Sequence, residues 1–219
     1  MEIALHPTEL AGCHRSGGWR AVRSMDAISI TPATTALVLI DLQRGITGGT
    51  TVPHAASLVV QNATKLVHAC HDAGVLVIFV RVDVGADGVL FPRVNADNPR
   101  PAFNTSPGWA DLVPELGAGE RDVTVTKHQP NAFFGTDLEI HLSRRGIRTI
   151  ILGGISTNIG VESTARAAQE RGYDQIFVED AMAAREVDLH EFPVRRFFPT
   201  IGRVRSTADV IAALGAVRK

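Results

Sequence analysis

The chain has 219 residues, 45% of them hydrophobic and 21% charged, enough for one domain with a sizeable buried core and too apolar for a disordered protein. Lys plus Arg number 22 against 23 for Asp plus Glu, so a nucleic-acid-binding surface or a polybasic membrane surface is not expected. Two cysteines, Cys13 and Cys70, without CxxC spacing exclude a disulfide framework and a cysteine-rich zinc site, and fit a reducing cytoplasm.

Residues 1–24 carry Gly17-Gly18 and several basic residues but neither a usable period nor the apolar segment of a secretory signal. They read as a loose extension before a single domain over 25–219. From Ala36 the pattern becomes regular. The run Ala36-Leu37-Val38-Leu39-Ile40 ends at Asp41, as in a strand buried on both faces of a parallel sheet. Residues 54–73 place Leu58, Val59, Ala63, Leu66, Val67 and Cys70 at helical spacing, and Gly74 stands where a helix closes. Residues 75–80 form a second buried strand. The apolar runs 75–80 and 150–155 are strand-sized, far too short to span a bilayer.

Residues 82–120 break the rhythm with five of the eleven prolines. They read as a long irregular excursion with a short helix near 109–112, the kind of segment that forms a lid or pocket wall. A third strand over 122–126 ends at Lys127. Thr136-Asp137-Leu138-Glu139 has the spacing of a capping box, opening a helix that ends near Arg145-Gly146. A strand over 149–153, a helix over 158–171 and a strand over 175–178 follow. A helix near 189–197, a short strand at Val204 and a helix over 210–214 complete the chain. Alternation of this kind predicts a three-layer αβα domain around a mostly parallel, roughly six-stranded, Rossmann-like sheet.

Ligands of such sheets bind outside the carboxyl ends of the strands, so the residues there are the ones to weigh. Asp41 is a carboxylate ending a buried strand, where desolvation favours the protonated form. Lys127 ends another strand and can supply the opposing positive charge. The stretch Gly153-Gly154-Ile155-Ser156-Thr157-Asn158-Ile159-Gly160 runs from strand into helix. Its glycines permit a tight turn, Ser156, Thr157 or Asn158 can cap the helix, and the first amides favour an anionic group. With Gln43 beside Asp41 and Phe133 as an aromatic wall, these make up the candidate binding residues.

The order Leu39-Ile40-Asp41-Leu42-Gln43, Thr126-Lys127-His128, Ala132-Phe133-Phe134-Gly135-Thr136-Asp137-Leu138 and then 153–168 resembles the isochorismatase-like hydrolase superfamily. The likeness extends over 35–214, and Ile155 to Arg166 most resembles a bacterial isochorismatase-family branch. It implies a homo-oligomeric hydrolase of small molecules. In the amidase members an aspartate and a lysine flank a cysteine nucleophile in the first turn of the helix. That position falls on Gly160, so a covalent thiol route is not available; a cysteine placed there would face the lysine and the helix dipole. Isochorismatases proper also carry glycine at this point. The resemblance then casts Asp41 as the acid that protonates a vinyl carbon and Lys127 as its partner, while Val161-Glu162-Ser163-Thr164 keeps an amidase-like sequence. It further implies a cis peptide between Ile155 and Ser156. The metal-binding Asp-x-His of nicotinamidases reads Asp83-Val84-Gly85 here, and the histidines lack HExxH spacing, so neither metal nor cofactor is expected. His68 and His71, three apart on one helix, read as surface residues, and Cys70 as core. The reading is a metal-independent, thiol-independent hydrolase of a small, carboxylate-bearing molecule. The rival is a catalytically silent binding protein that has lost the thiol.

Overall fold

The computed structural model describes residues 28–99, 103 and 105–216. The expected extension over 1–24, with Cys13, lies outside them. Six strands form one sheet in the order β3-β2-β1-β4-β5-β6, every pair parallel. They are β1 (Thr35–Ile40), β2 (Leu76–Val82), β3 (Val123–Lys127), β4 (Thr149–Ile155), β5 (Asp174–Ala183) and β6 (Arg203–Arg205). The helices are α1 (Arg44–Thr47), α2 (Ala56–Ala73), α3 (Leu138–Arg144), α4 (Glu162–Glu170), α5 (Val187–Phe192), α6 (Phe198–Ile201) and α7 (Thr207–Ala216).

Strand residues alternate between two cores, which is what makes three layers. Leu37 and Leu39 of β1 pack with Val59, Ala63, Leu66 and Cys70 of α2 and with Val210 and Leu214 of α7. Ala36, Val38 and Ile40 face the other way, onto Leu138 and Leu142 of α3, Ala165 and Ala168 of α4 and Phe198 of α6. All six β1 residues are buried, Thr35 with the unbroken apolar run Ala36 to Ile40 that required it. Helix α2 ends at Gly74, whose amide donates to the Cys70 and His71 carbonyls.

Several elements differ from expectation. Strand β5 runs through Glu179 and Asp180 to Ala183, not to Val178. Its pairing with β4 jumps from Leu152↔Phe177 to Gly154↔Met182, so β5 bulges there. The charged pair in the bulge is satisfied from outside the ladder. His54 and His190 meet Glu179, and the Thr207 amide and hydroxyl donate to Asp180. No helix forms over 109–112; the excursion instead holds a 3₁₀ turn, Pro114–Leu116, and an isolated bridge between Gln43 and Leu112. The capping box does not close either. The Thr136 hydroxyl accepts from the Leu138 amide and donates to the Ala132 carbonyl, while the Glu139 carboxylate is drawn off by Arg171. His71 is no free surface residue but is paired with Asp122 at 2.6 Å, whereas His68 is exposed. No helix among the described residues is long and apolar enough to cross a membrane.

Candidate active site

The strand order reverses between β1 and β4, and the crevice at a switch point of this kind lies beyond their carboxyl ends. The chain enters it at Asp41, whose amide donates to the Val80 carbonyl and whose φ of 55° is left-handed, rare for a residue with a side chain. That backbone twist turns the carboxylate off the end of β1 toward β3. Neighbouring strands lie about 4.8 Å apart, so β3 is roughly 10 Å from β1, a gap that a lysine stem and a short carboxylate close together. Lys127 ends β3 opposite Val82 and donates from Nζ to Asp41 Oδ2 at 2.8 Å, with both residues buried.

The two carboxylate oxygens have unlike surroundings. Oδ2 is held by Lys127, whereas Oδ1 is buried without a hydrogen-bond partner among the described residues. Burial pushes the Asp41 carboxyl above the ordinary carboxylate range, and the Lys127 charge only partly offsets this. Such a group can hold a proton at a pH where a free carboxyl has lost it.

The floor is completed by the turn after β4. Gly154 sits at φ 129°, and a Cβ there would come within 2.1 Å of the Ile40 carbonyl oxygen, so only glycine lets β4 lie this close to β1. The Ile155–Ser156 peptide is cis, as the resemblance implied. The chain then enters a π-helical turn, Thr157–Val161, before α4 begins. A Cβ on Gly160 would lie 2.8 Å from Ile40 Cγ2, 3.0 Å from Asp41 Oδ2 and 3.6 Å from Lys127 Nζ. Gly160 therefore stands directly over the ion pair.

A cavity of about 610 Å³ opens onto this floor, and Asp41, Lys127, Ser156 and Gly160 all line it. Its far wall comes from the excursion and carries Phe91, Phe103 and Trp109. Two further cavities, of about 340 and 510 Å³, lie at the amino edge of the sheet and against α2, and include none of the candidate residues.

The other candidates have different places. Gln43 is a brace: its amide donates to the Val82 and Trp109 carbonyls and its oxygen accepts from the Val82 amide. Phe133 is buried, stacked on Tyr173 in the α3–α4 core, and is not on the cavity wall. Neither Ser156, Thr157 nor Asn158 caps the helix. The Thr157 hydroxyl instead pairs with His190 Nδ1 at 2.8 Å, and Asn158 Oδ1 is buried without a partner among the described residues. Cys70 is fully buried, its thiol pushed up to about 12 by desolvation.

Two features escaped the sequence. Arg185 lines the cavity from just beyond the end of β5, exposed and without an ion pair among the described residues. The true extent of β5 was its only signal, since ending that strand at Val178 puts Arg185 far from the carboxyl edge. The second is a cluster of His54, Glu179 and His190, gathered from residues up to 136 positions apart.

An isochorismatase domain matches residues 35–209 of the chain. The isochorismatase family protein YwoC of Bacillus subtilis is 45% identical over 190 residues, covering 85% of this chain and 97% of its own. The ureidoacrylate amidohydrolase RutB of Acinetobacter baylyi is 29% identical over 88% of this chain and 90% of its own. The structure of an isochorismatase family protein from Burkholderia thailandensis superposes with a TM-score of 0.81 at 44% identity, covering 85% of this chain and 98% of that one.

Proposed function

Because the chain belongs to the isochorismatase family and is a hydrolase, we propose that it cleaves a small carboxylate-bearing molecule by acid–base chemistry at Asp41, without a thiol or a metal at that centre. The carrying observation is Asp41 on the cavity wall, its Oδ2 fixed by Lys127 and its Oδ1 buried without a partner among the described residues. A raised carboxyl on the wall of a cavity is suited to give a proton to substrate, and Lys127 stabilises the carboxylate left behind.

For an enol ether the step balances as follows. The Asp41 proton goes to the terminal vinyl carbon and leaves a cation stabilised by the ether oxygen. Water adds to the cationic carbon and its released proton returns to Asp41. The hemiketal then collapses to a keto acid and an alcohol. Gly160 supplies no nucleophile, which supports direct attack by water over an acyl-enzyme. Arg185, a cation on the cavity wall, supports a substrate carboxylate, and Phe91, Phe103 and Trp109 support an unsaturated or cyclic body. A reducing cytoplasm and a homo-oligomer belong to the same reading, with exposed Phe134 and Phe192 as surfaces for subunit contact.

The test is turnover of isochorismate and of a panel of small amides by the wild type and by Asp41→Asn. The expected result is hydrolysis of an anionic enol ether that Asp41→Asn loses. Undiminished turnover in that variant overturns the assignment. Ligand-dependent thermal stabilisation with no turnover of any candidate favours the silent binding protein.

A further inference from the structure

Outside the catalytic cavity, three side chains from separate parts of the chain point at one another. His54 Nε2 lies 2.9 Å from Glu179 Oε1, and His190 Nε2 lies 3.4 Å from the same oxygen. The two imidazoles meet edge to face, with ring centroids 5.7 Å apart. One ligand atom from each of the three falls within a span of 4.8 Å. We propose that His54, Glu179 and His190 form a binding site for a divalent transition cation of the zinc type, distinct from the Asp41 centre.

Donor chemistry supports it. Two imidazoles and one carboxylate make a set that zinc-type ions accept, with an open position for water. Bonds of about 2.0–2.2 Å at tetrahedral angles place ligand atoms roughly 3.3–3.5 Å apart; the 3.4 Å between His190 and Glu179 already matches, the 2.9 Å between His54 and Glu179 must widen by about half an ångström, and all three atoms lie within 4.8 Å of one another. His190 is buried, whereas His54 and Glu179 are partly open to solvent, which gives the ion a way in.

The surroundings hold the ligands in place. The loop bearing His54 is tied to the end of β5 by the Val52–Ala184 bridge. Glu179 sits in the β5 bulge and His190 on α5. His190 Nδ1 faces the Thr157 hydroxyl at 2.8 Å. When Nδ1 carries the hydrogen and donates it to Thr157, the Nε2 lone pair is free for a cation, the arrangement usual for metal-bound histidine. His190 and Glu179 hold this bond pattern only if protons mediate the His–Glu contacts; a cation replaces those protons. None of the three lines the catalytic cavity. Thr157 opens the turn that carries Gly160, so a bound ion would pin that turn to β5 and α5.

The test is zinc titration of chelator-stripped protein by calorimetry, with thermal melts in parallel. The expected result is one equivalent bound and a melting temperature raised by about 5–10 °C at a hundredfold excess over Kd. Both effects should vanish in His54→Ala, a partly exposed position whose fold can be checked by circular dichroism. His54→Gln, which keeps a hydrogen-bonding side chain, should lose them as well. Asp41→Asn should keep both, which separates this site from the proposed active centre. The N-terminal segment carries His6, Cys13 and His14, and Cys13→Ser with His14→Ala should also leave binding intact. Absence of binding, binding that survives His54→Ala, or binding lost only in the N-terminal variant would overturn the proposal.

Discussion

Adding one methyl group at Gly160 tests the site more sharply than removing a catalytic side chain. In Gly160→Ala the new Cβ would sit 2.8 Å from Ile40 Cγ2 and 3.0 Å from Asp41 Oδ2. Carbon pairs are comfortable at about 3.5–4.0 Å, so the Ile40 methyl must retreat by roughly 0.7–1.2 Å, and the carboxylate oxygen by a few tenths. Neither has slack. Ile40 is fully buried in the central strand, and Oδ2 is pinned by Lys127 at 2.8 Å. Overpacking of this kind costs about 1–3 kcal/mol. For a chain of this size that lowers the melting temperature by about 2–12 °C. The displaced carboxylate should slow turnover by about 10- to 100-fold, as small misplacements of reacting groups do.

Ile40→Ala removes the opposing methyl and alone costs about 2–5 kcal/mol. In the double variant the added and deleted carbons partly fill one another's space, so the losses should be less than additive by about 0.5–3 kcal/mol. Scanning fluorimetry and initial rates on one substrate read both effects. A Gly160→Ala protein as stable and active as the wild type, or strictly additive losses, would refute the close packing argued here. The same geometry bears on Gly160→Cys, where a cysteine would face Lys127. A thiol there meets no preformed slot, because Ile40 and Asp41 already fill it, and the variant should be at least as destabilised as the alanine.

Asp41→Asn should reduce turnover by about 10²–10⁴-fold in steady-state assays, because an amide cannot deliver the proton. With its carboxyl raised above 3.8 in the folded protein, the rate should fall on the alkaline side as pH climbs through that raised value. The stability that Asp41 protonation gives is full below 3.8 and disappears over the same rise, so the melting curves of wild type and Asp41→Asn should diverge with increasing pH. Cys70 should resist iodoacetamide in the native protein at pH 8, and a Cys13→Ser, Cys70→Ala variant should keep the wild-type rate; a folded but inactive product would refute thiol independence. Arg185→Ala should raise KM for an anionic substrate at least tenfold with kcat nearly unchanged, and leave a neutral analogue unaffected.

What the sequence made legible was what short-range pattern dictates. Continuous apolar runs marked β1, β2 and β4, and the charged residues at two strand ends, Asp41 after β1 and Lys127 closing the alternating β3, prove to be neighbours. What it concealed depends on distant partners. Glu179 and Asp180 look like the end of a strand because their counterparts, His54, His190 and Thr207, are remote in sequence. Thr136 and Glu139 have the spacing of a capping box, but Arg171 claims the carboxylate. Phe133 could be aromatic wall or aromatic core, and only Tyr173 stacked against it decides for core. Gln43 looked like a ligand for substrate because it adjoins Asp41, yet all of its amide is spent on backbone.

That use of Gln43 divides the cavity's inheritance. One amide grips the end of β2, beside Asp41 and Lys127, and also the carbonyl of Trp109 on the opposite wall. The floor is rigid sheet, common to any chain that folds this way. The wall hangs from a loop of some forty residues, held near its far end by backbone bonds from Arg44 to Asp111, from Gly45 to Trp109 and from Val113 to Leu42, and by the Gln43 amide. Insertions, deletions and aromatic replacements between 91 and 105 leave the Asp83–Lys127 bond and these tethers in place, and so leave Asp41 and Lys127 where they are. A lineage built on this plan can change what it recognises while leaving untouched how it reacts, and two descendants with the same floor need share no substrate.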